Sequence, residues 1–180
     1  MTDALTKALN HRDWLLADGA TGTNLFNMGL MAGDAPEFWN ETETDKIKTL
    51  YRGAVDAGSD LFLTNSFGAN ASRLKLHDAA HRAYALSKLA AELGRDIADA
   101  CPRDIIVAGS VGPTGEIMGA AGNLSHQDAV AMFEETAAGL RDGGADVLWV
   151  ETISAPEEFR AAAEAFANVG MPWCGTMSFD

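Results

Sequence analysis

The chain writes the same joint twice, DAGSDLFLTN at residues 56–65 and DGGADVLWVE at residues 142–151. In each, a helical stretch stops at glycine, an acid follows, and a short apolar run ends on polar side chains. A repeated helix-to-strand return of this kind restricts the fold to strands and helices alternating around a parallel sheet. Five apolar runs fit as strands, at residues 14–17, 61–64, 105–108, 147–150 and 173–179. They are short and apolar at successive positions, as in parallel strands covered on both faces.

The segments between the runs have helical spacing. Ile47, Leu50, Tyr51, Ala54 and Val55 fall on one face and predict a helix over residues 44–57, stopped by Gly58. Residues 69–100 are rich in Ala and Leu and read as one helical region, with Leu86, Leu89, Leu93 and Ile97 as its buried stripe. Ser125 and Asp128 read as the N-cap and first turn of a helix running to Gly143 and Gly144. Ser154 and Glu157 fit a capping box, with Pro156 in the first turn where its missing N–H costs little. No linker or low-complexity tract divides the chain, so residues 1–180 read as one domain.

Charge narrows the partners. Acidic residues outnumber basic ones 26 to 13, a net charge of −13 that repels phosphate backbones, and no basic patch offsets it. Nucleic acid is therefore excluded, while a compact, partly cationic substrate is not. The first residues lack the basic and apolar regions of a secretory signal, and no apolar stretch reaches the length of a membrane span. Cys101 and Cys174 are far apart with no CxxC spacing and read as structural thiols of a reduced, cytoplasmic protein.

Strand–helix alternation gives a doubly wound sheet or a (β/α)8 barrel, and in both the chemistry lies beyond the carboxyl ends of the strands. Those ends carry Asp18-Gly19, Thr64-Asn65-Ser66, Ser110 to Pro113, Glu151-Thr152 and Ser178 to Asp180. Asp18 and Glu151 converging on one ligand would suit an amino-acid zwitterion, with the acids on its ammonium and backbone N–H groups on its carboxylate. Five strands fall short of a barrel's eight and of its typical length of about 250 residues. The expectation is an N-terminal portion of a barrel, truncated at Asp180, with open edges at Leu15-Leu16 and near Met177 that favour self-association or aggregation.

LLADGATGT, AGSDLFLTNSFGAN, IIVAGSVGPTGE and GGADVLWVETISAPEE, in that order, resemble the homocysteine S-methyltransferase family. The likeness runs from about residue 14 to residue 180 and is nearest to the bacterial betaine–homocysteine methyltransferases. It implies a TIM-type (β/α)8 barrel that transfers a methyl group to the zinc-activated thiol of homocysteine, giving methionine. The family's substrate-binding positions fall on Asp18, Gly19, Thr64 and Glu151, with Asp18 and Glu151 holding the ammonium of homocysteine. Its three zinc-binding cysteines match neither Cys101 nor Cys174 and are expected beyond Asp180, so no metal residue is assigned here and the fragment alone is expected to be inactive. The aromatic positions that enclose betaine's quaternary ammonium in animal enzymes fall on Ala35 and Gly68, leaving Phe67, Phe38 and Trp39 nearby, with Phe67 and Trp39 as donor-side candidates.

Betaine is the first donor considered. The homocysteine-binding part of a cobalamin- or methylfolate-dependent methionine synthase, and an inactive fragment serving only as a binding domain, remain alternatives; a homo-oligomer stays open. An aldolase-like or phosphate-binding barrel is disfavoured, since no strand end carries a lysine and no loop carries the GK[ST] of a phosphate loop. His77 and His81 read as a solvated pair and His126 as a surface residue of a first helical turn. Asn65, Ser66 and Asn70 read equally as loop caps, and the methionines with Trp14, Trp149 and Trp173 as core.

Overall fold

A computed structural model describes residues 3–119 and 122–179. Asp180, counted above with the strand ends, lies outside them. Helices α1 (Ala4–Leu9), α2 (Thr21–Asn27), α3 (Trp39–Thr42) and α4 (Thr44–Asp56) precede β1 (Leu61–Leu63). Then follow α5 (Ala71–Leu74), α6 (Ala83–Asp99), β2 (Ile106–Val111), α7 (His126–Asp142), β3 (Val147–Ile153), α8 (Pro156–Val169) and β4 (Trp173–Met177).

The four strands are parallel and lie in the order β1-β2-β3-β4. A doubly wound sheet reverses its growth at a switch point; this one adds every strand beside its predecessor, the winding of a (β/α)8 barrel. The strand period of two separates the faces. Phe62 and Val107 point to the helices and pack with Ile47, Leu50, Tyr51, Leu93 and Ile97. Leu148 and Val150 meet Phe133, Leu140, Ala161 and Phe166 of α7 and α8. Leu61, Ile106, Ala108 and Val147 face the other way, with Trp149, Cys174 and side chains of α1 against them. Each fully buried large apolar side chain contributes about 1.5–3 kcal/mol, so the helix-facing side of the sheet carries most of the cohesion.

Close helix packing depends on Gly139 of α7 and on Gly143, the residue that caps it. A Cβ at Gly139 would stand 2.4 Å from the Tyr84 carbonyl oxygen, and one at Gly143 2.2 Å from that of Lys88. Any other residue would push α6 and α7 apart.

Several expectations need correction. The run at residues 14–17 is not a fifth strand: among the described residues it contributes one parallel bridge, Ala17 to Leu61. Leu16 O accepts from Leu61 N and Asp18 N donates to Leu61 O, but the next ladder donor, Leu63 N, goes to the Asp18 carboxylate at 3.0 Å instead of to a main-chain carbonyl. A side chain thus replaces the ladder and ends it. Trp14 is 66% exposed and Trp173 39%, and Met31 is exposed too, so these are not core. The helical region at residues 69–100 is broken: Asp78 adopts the left-handed conformation, φ 57°, and α6 starts only at Ala83. The break lets Leu74, Ala79 and Ala83 all turn inward onto Leu86. At α8 the N-cap is Ala155, with no side-chain cap, so the Ser154–Glu157 box does not form although Pro156 holds the first turn. Ser125 does cap α7, accepting from Asp128 N.

Candidate functional site

At the carboxyl end of the sheet a cavity of about 520 Å³ is lined by Asp18, Gly19, Thr64, Ser110 and Glu151, together with Asp34, Glu37, Phe67, Gly68, Arg73 and His77. All four positions singled out for substrate binding border this one space.

Asp18 is fixed by the Leu63 N–H on Oδ1. Burial pushes its carboxyl up to about 6, the Leu63 N–H opposes the shift, and the charge of Glu151 adds to it. The charge of Glu151 therefore reaches Asp18.

Glu151 comes from the alternation of β3: Val147, Trp149 and Glu151 share the inward face, as Ile106, Ala108 and Ser110 do on β2. Ser110 Oγ donates to Glu151 Oε1 at 2.5 Å. Just beyond, the pairing of β3 with β4 slips between Val150 and Ile153, and Thr152 has φ 63°. A β-branched residue in that region is strained by about 1–3 kcal/mol, and a bulge there re-aims the side chains around it.

Thr64 borders the cavity but is 2% exposed, and its hydroxyl is already engaged. It accepts from Ser110 N at 3.0 Å, and because Ser66 Oγ gives its hydrogen to Ser110 O at 2.8 Å, Thr64 must donate to Ser66 at 2.7 Å. Thr64 ties the ends of β1 and β2 together and has no hydrogen left for a carboxylate. Asn65 plays a similar part: its N–H donates to Tyr51 Oη at 2.6 Å and its amide to Pro36 O and Asn40 Oδ1. Asn70 caps α5 through Arg73 N.

The donor-side candidates separate. Phe67 lines the cavity, with its ring backed by Gly112, where a Cβ would fall 2.5 Å from it, and with the Arg73 guanidinium over it at 5.6 Å. Trp39 does not line the cavity; it packs on the α4 cluster beneath Lys46 Nζ at 4.4 Å. His77 and His81 are exposed, with His77 on the cavity rim, and His126 is on the surface beside Glu164 at 2.8 Å.

Glu37 and Arg73 also line the cavity, and no local sequence pattern marks either. Glu37, in the short turn Pro36–Phe38, is 4% exposed and takes the Gly68 N–H on Oε1 at 2.6 Å. Burial raises its pKa, while that N–H and the charges of Arg73 and His77 work against the rise. Arg73 Nε donates to Pro113 O at 3.1 Å. The sequence sign for Glu37 was an acid flanked by Pro36 and Phe38, which local polarity alone does not distinguish from a surface turn.

Among the described residues no group of three or more His, Cys, Asp or Glu side chains is gathered for a metal ion. Burial pushes the Cys174 thiol up to about 11, away from the thiolate a metal needs. Cys101 follows α6 at the amino-terminal end of the strands and lines a different hollow. The residues described here do not fit a zinc site. No described helix is long and apolar enough to cross a membrane.

The sequence profile described as homocysteine S-methyltransferase matches residues 15–180. A methionine synthase of Mycobacterium tuberculosis (strain ATCC 25618 / H37Rv) is 34% identical over 186 residues, covering 91% of this chain and 16% of that protein. One from Mycobacterium leprae (strain TN) is 34% identical over 157 residues, covering 82% and 13%. The metallated form of the homocysteine methyltransferase MmuM from Escherichia coli superposes with a TM-score of 0.82 at 27% identity, over 97% of this chain and 66% of that one. Its oxidized form gives 0.77 at 27% identity, over 95% and 63%. The chain thus spans 16% or less of these methionine synthases and 66% or less of MmuM.

Proposed function

The chain belongs to the homocysteine S-methyltransferase family, and from that premise we propose that it is the homocysteine-binding barrel portion of an enzyme that methylates homocysteine to methionine. One observation carries the assignment: Asp18 and Glu151, from segments far apart in sequence, border the same cavity, and the charge of Glu151 helps to raise the Asp18 carboxyl. An ammonium group between them relieves the repulsion that helps to hold the Asp18 carboxyl up, so the site gains most from a cationic guest. Ser110 holds one oxygen of Glu151 and leaves the other for the ligand. Gly19, exposed and without a side chain, leaves its backbone open to the carboxylate end of homocysteine.

In the transfer itself the homocysteine sulfur forms a bond to the methyl carbon as the donor's carbon–heteroatom bond breaks, and that bond's electron pair stays with the donor. The thiol proton must be lost first, because a free thiol near pKa 8.5 is mostly protonated at neutral pH. Zinc, which would favour the thiolate, belongs to this reading with cysteine ligands outside residues 1–180; no step here passes through it. No residue of this chain is assigned to proton transfer. It binds and orients.

Betaine remains the first donor in this reading and the cytoplasm its setting. The likeness to the mycobacterial methionine synthases favours a second one, in which the methyl group comes from a cobalamin or methylfolate carrier. Homocysteine titrated calorimetrically into the native polypeptide that carries this chain tests the shared part. Asp18→Asn and Glu151→Gln should each weaken binding by about 10–100-fold, as expected when one of two charge partners is removed. Unchanged affinity in both variants overturns the assignment.

A further inference from the structure

The repeated joint has a use that its place between helix and strand does not explain. Its fifth residue is an aspartate in both copies, Asp60 and Asp146, and the two make the same pair of bonds. Asp60 N donates to Leu16 O at 2.7 Å while Leu16 N donates to Asp60 Oδ2 at 2.9 Å. Asp146 N donates to Val107 O at 2.9 Å while Val107 N donates to Asp146 Oδ2 at 2.8 Å. Each aspartate thus clasps a residue near the amino-terminal foot of the preceding strand with its main chain and its side chain together. An arginine steadies each carboxylate, Arg12 for Asp60 and Arg95 Nη1 for Asp146 at 2.8 Å. The Leu16 N–H, helped by Arg12 and Arg103 against burial, holds the Asp60 carboxyl below its ordinary value, so it is ionised and accepting at neutral pH. Among the described residues the returns into β2 and β4 carry no such clasp: Asp104 is exposed, and Pro172 stands before Trp173.

The two clasped pairs, the first run with β1 and β2 with β3, are the ones whose far ends carry Asp18 and Glu151. The clasps are not equally needed. β2 and β3 share four ladder pairs, from Ala108–Val147 to Val111–Val150, so their register stands without Asp146. The first run has one bridge, Ala17 to Leu61, among the described residues. Asp18 lies two positions beyond Leu16, about 7 Å along an extended chain, and a slip of one residue there would turn its side chain to the opposite face. We propose that Asp60 is a positioning residue for the homocysteine site: by clasping Leu16 at the opposite end of the sheet, it sets the height and the facing of Asp18 in the cavity. Its effect on binding rests on the assignment of the ammonium to Asp18; the clasp itself does not. Asp60 lines a separate hollow, with α1 and Cys101, so it acts through Leu16 and touches no ligand in the cavity. The first run is then held by a side chain at each end, Asp60 at its foot and Asp18, through Leu63 N, at its head.

The test compares the two clasps in the native polypeptide that carries this chain. Asp60→Ala and Asp146→Ala should both lower the urea midpoint of unfolding. Only Asp60→Ala should weaken homocysteine binding in calorimetry, by about 10-fold, the scale of loss when a contact is misplaced rather than removed. It should also move the Asp18 titration, read by carboxyl carbon NMR, from about 6 toward the ordinary 3.8, because a loosened segment lets water reach the carboxyl. Asp60→Asn removes the same charge but keeps an oxygen for Leu16 N, and should return both readings close to those of wild type. If Asp60→Ala does not fold, Asp60→Glu, which keeps the charge and carries the acceptor one methylene further out, takes its place with the same two shifts expected. Equal weakening of homocysteine by Asp60→Ala and Asp146→Ala, an Asp18 titration that stays put, or an asparagine variant that behaves like the alanine one overturns the proposal. Homocysteine failing to bind wild type at all defeats the homocysteine assignment, while the Asp18 titration still decides whether Asp60 positions Asp18.

Discussion

Replacing Asp18 with asparagine should make this chain more stable at neutral pH and a poorer host for an ammonium group. The carboxyl's ordinary value is 3.8, and burial, with Glu151 nearby, lifts it to about 6 in the fold. The folded state therefore holds this proton more tightly than the unfolded chain does. Its contribution to stability is complete below the unfolded value of 3.8 and is lost as pH rises through about 6. A gap of about two units corresponds to a ceiling of about 3 kcal/mol, and partial opening onto the cavity reduces the working figure to about 1–2 kcal/mol. Asparagine keeps the oxygen that accepts from Leu63 N, so the strand end should not move. Urea unfolding of both proteins at several pH values between about 4 and 8 reads the difference directly. The two curves should meet at the acid end and separate toward neutrality, with the asparagine variant above. Homocysteine should shrink the gap, because its ammonium stabilises the ionised carboxylate of wild type alone. A difference that does not vary with pH, or a variant that becomes the weaker protein as pH rises, refutes the reasoning.

Further substitutions separate holding from binding. Glu151→Gln should lower the midpoint of the Asp18 titration, read by carboxyl carbon NMR, because the like charge beside it is gone. Thr64→Val should cost about 1–3 kcal/mol in urea unfolding, since Ser110 N loses its buried acceptor, yet change homocysteine affinity by less than about 3-fold. Thr152→Gly should relieve the left-handed strain and raise stability by about 0–2 kcal/mol after glycine's entropy cost, while loosening Glu151 and weakening homocysteine binding.

What the sequence disclosed follows from the range of the interaction concerned. The Ser125 cap on Asp128 N is closed within three residues, and the inward placement of Glu151 follows from counting by two along an apolar strand. Both could be read from neighbours alone. Asp18 was legible as an acid ending an apolar run, but its bond to Leu63 N, which stops the first run from becoming a strand, crosses 45 positions. Glu37 and Arg73 gain their meaning from Gly68 N and Pro113 O, contacts made by loops folded over the sheet, and no local pattern marks them. Trp39 drew notice as an aromatic side chain near the right place, yet one face of its short helix turns it toward Lys46 and α4. Proximity in sequence does not tell which side chain of that segment borders the cavity: Glu37 does and Trp39 does not.

Four carboxylates around one cavity, Asp34 on its lining beside Asp18, Glu37 and Glu151, in a chain whose net charge is already −13, would be a poor arrangement if nothing cationic came to it. The way the three less exposed ones are held gives the reason they persist. Asp18 takes Leu63 N, Glu37 takes Gly68 N and Glu151 takes the Ser110 hydroxyl, one oxygen apiece. Among the described residues no other residue donates to the second oxygen of any of them. The anchoring donors come from the sheet and the loop after β1, so the acids are positioned before any ligand arrives and a guest pays little to organise them. Such a lining repels phosphates and other dense anions and leaves Arg73 as a cationic counterpoint within it. A cavity with this charge plan suits small molecules that carry a positive centre and a carboxylate together, the property that the proposed guest, homocysteine, has.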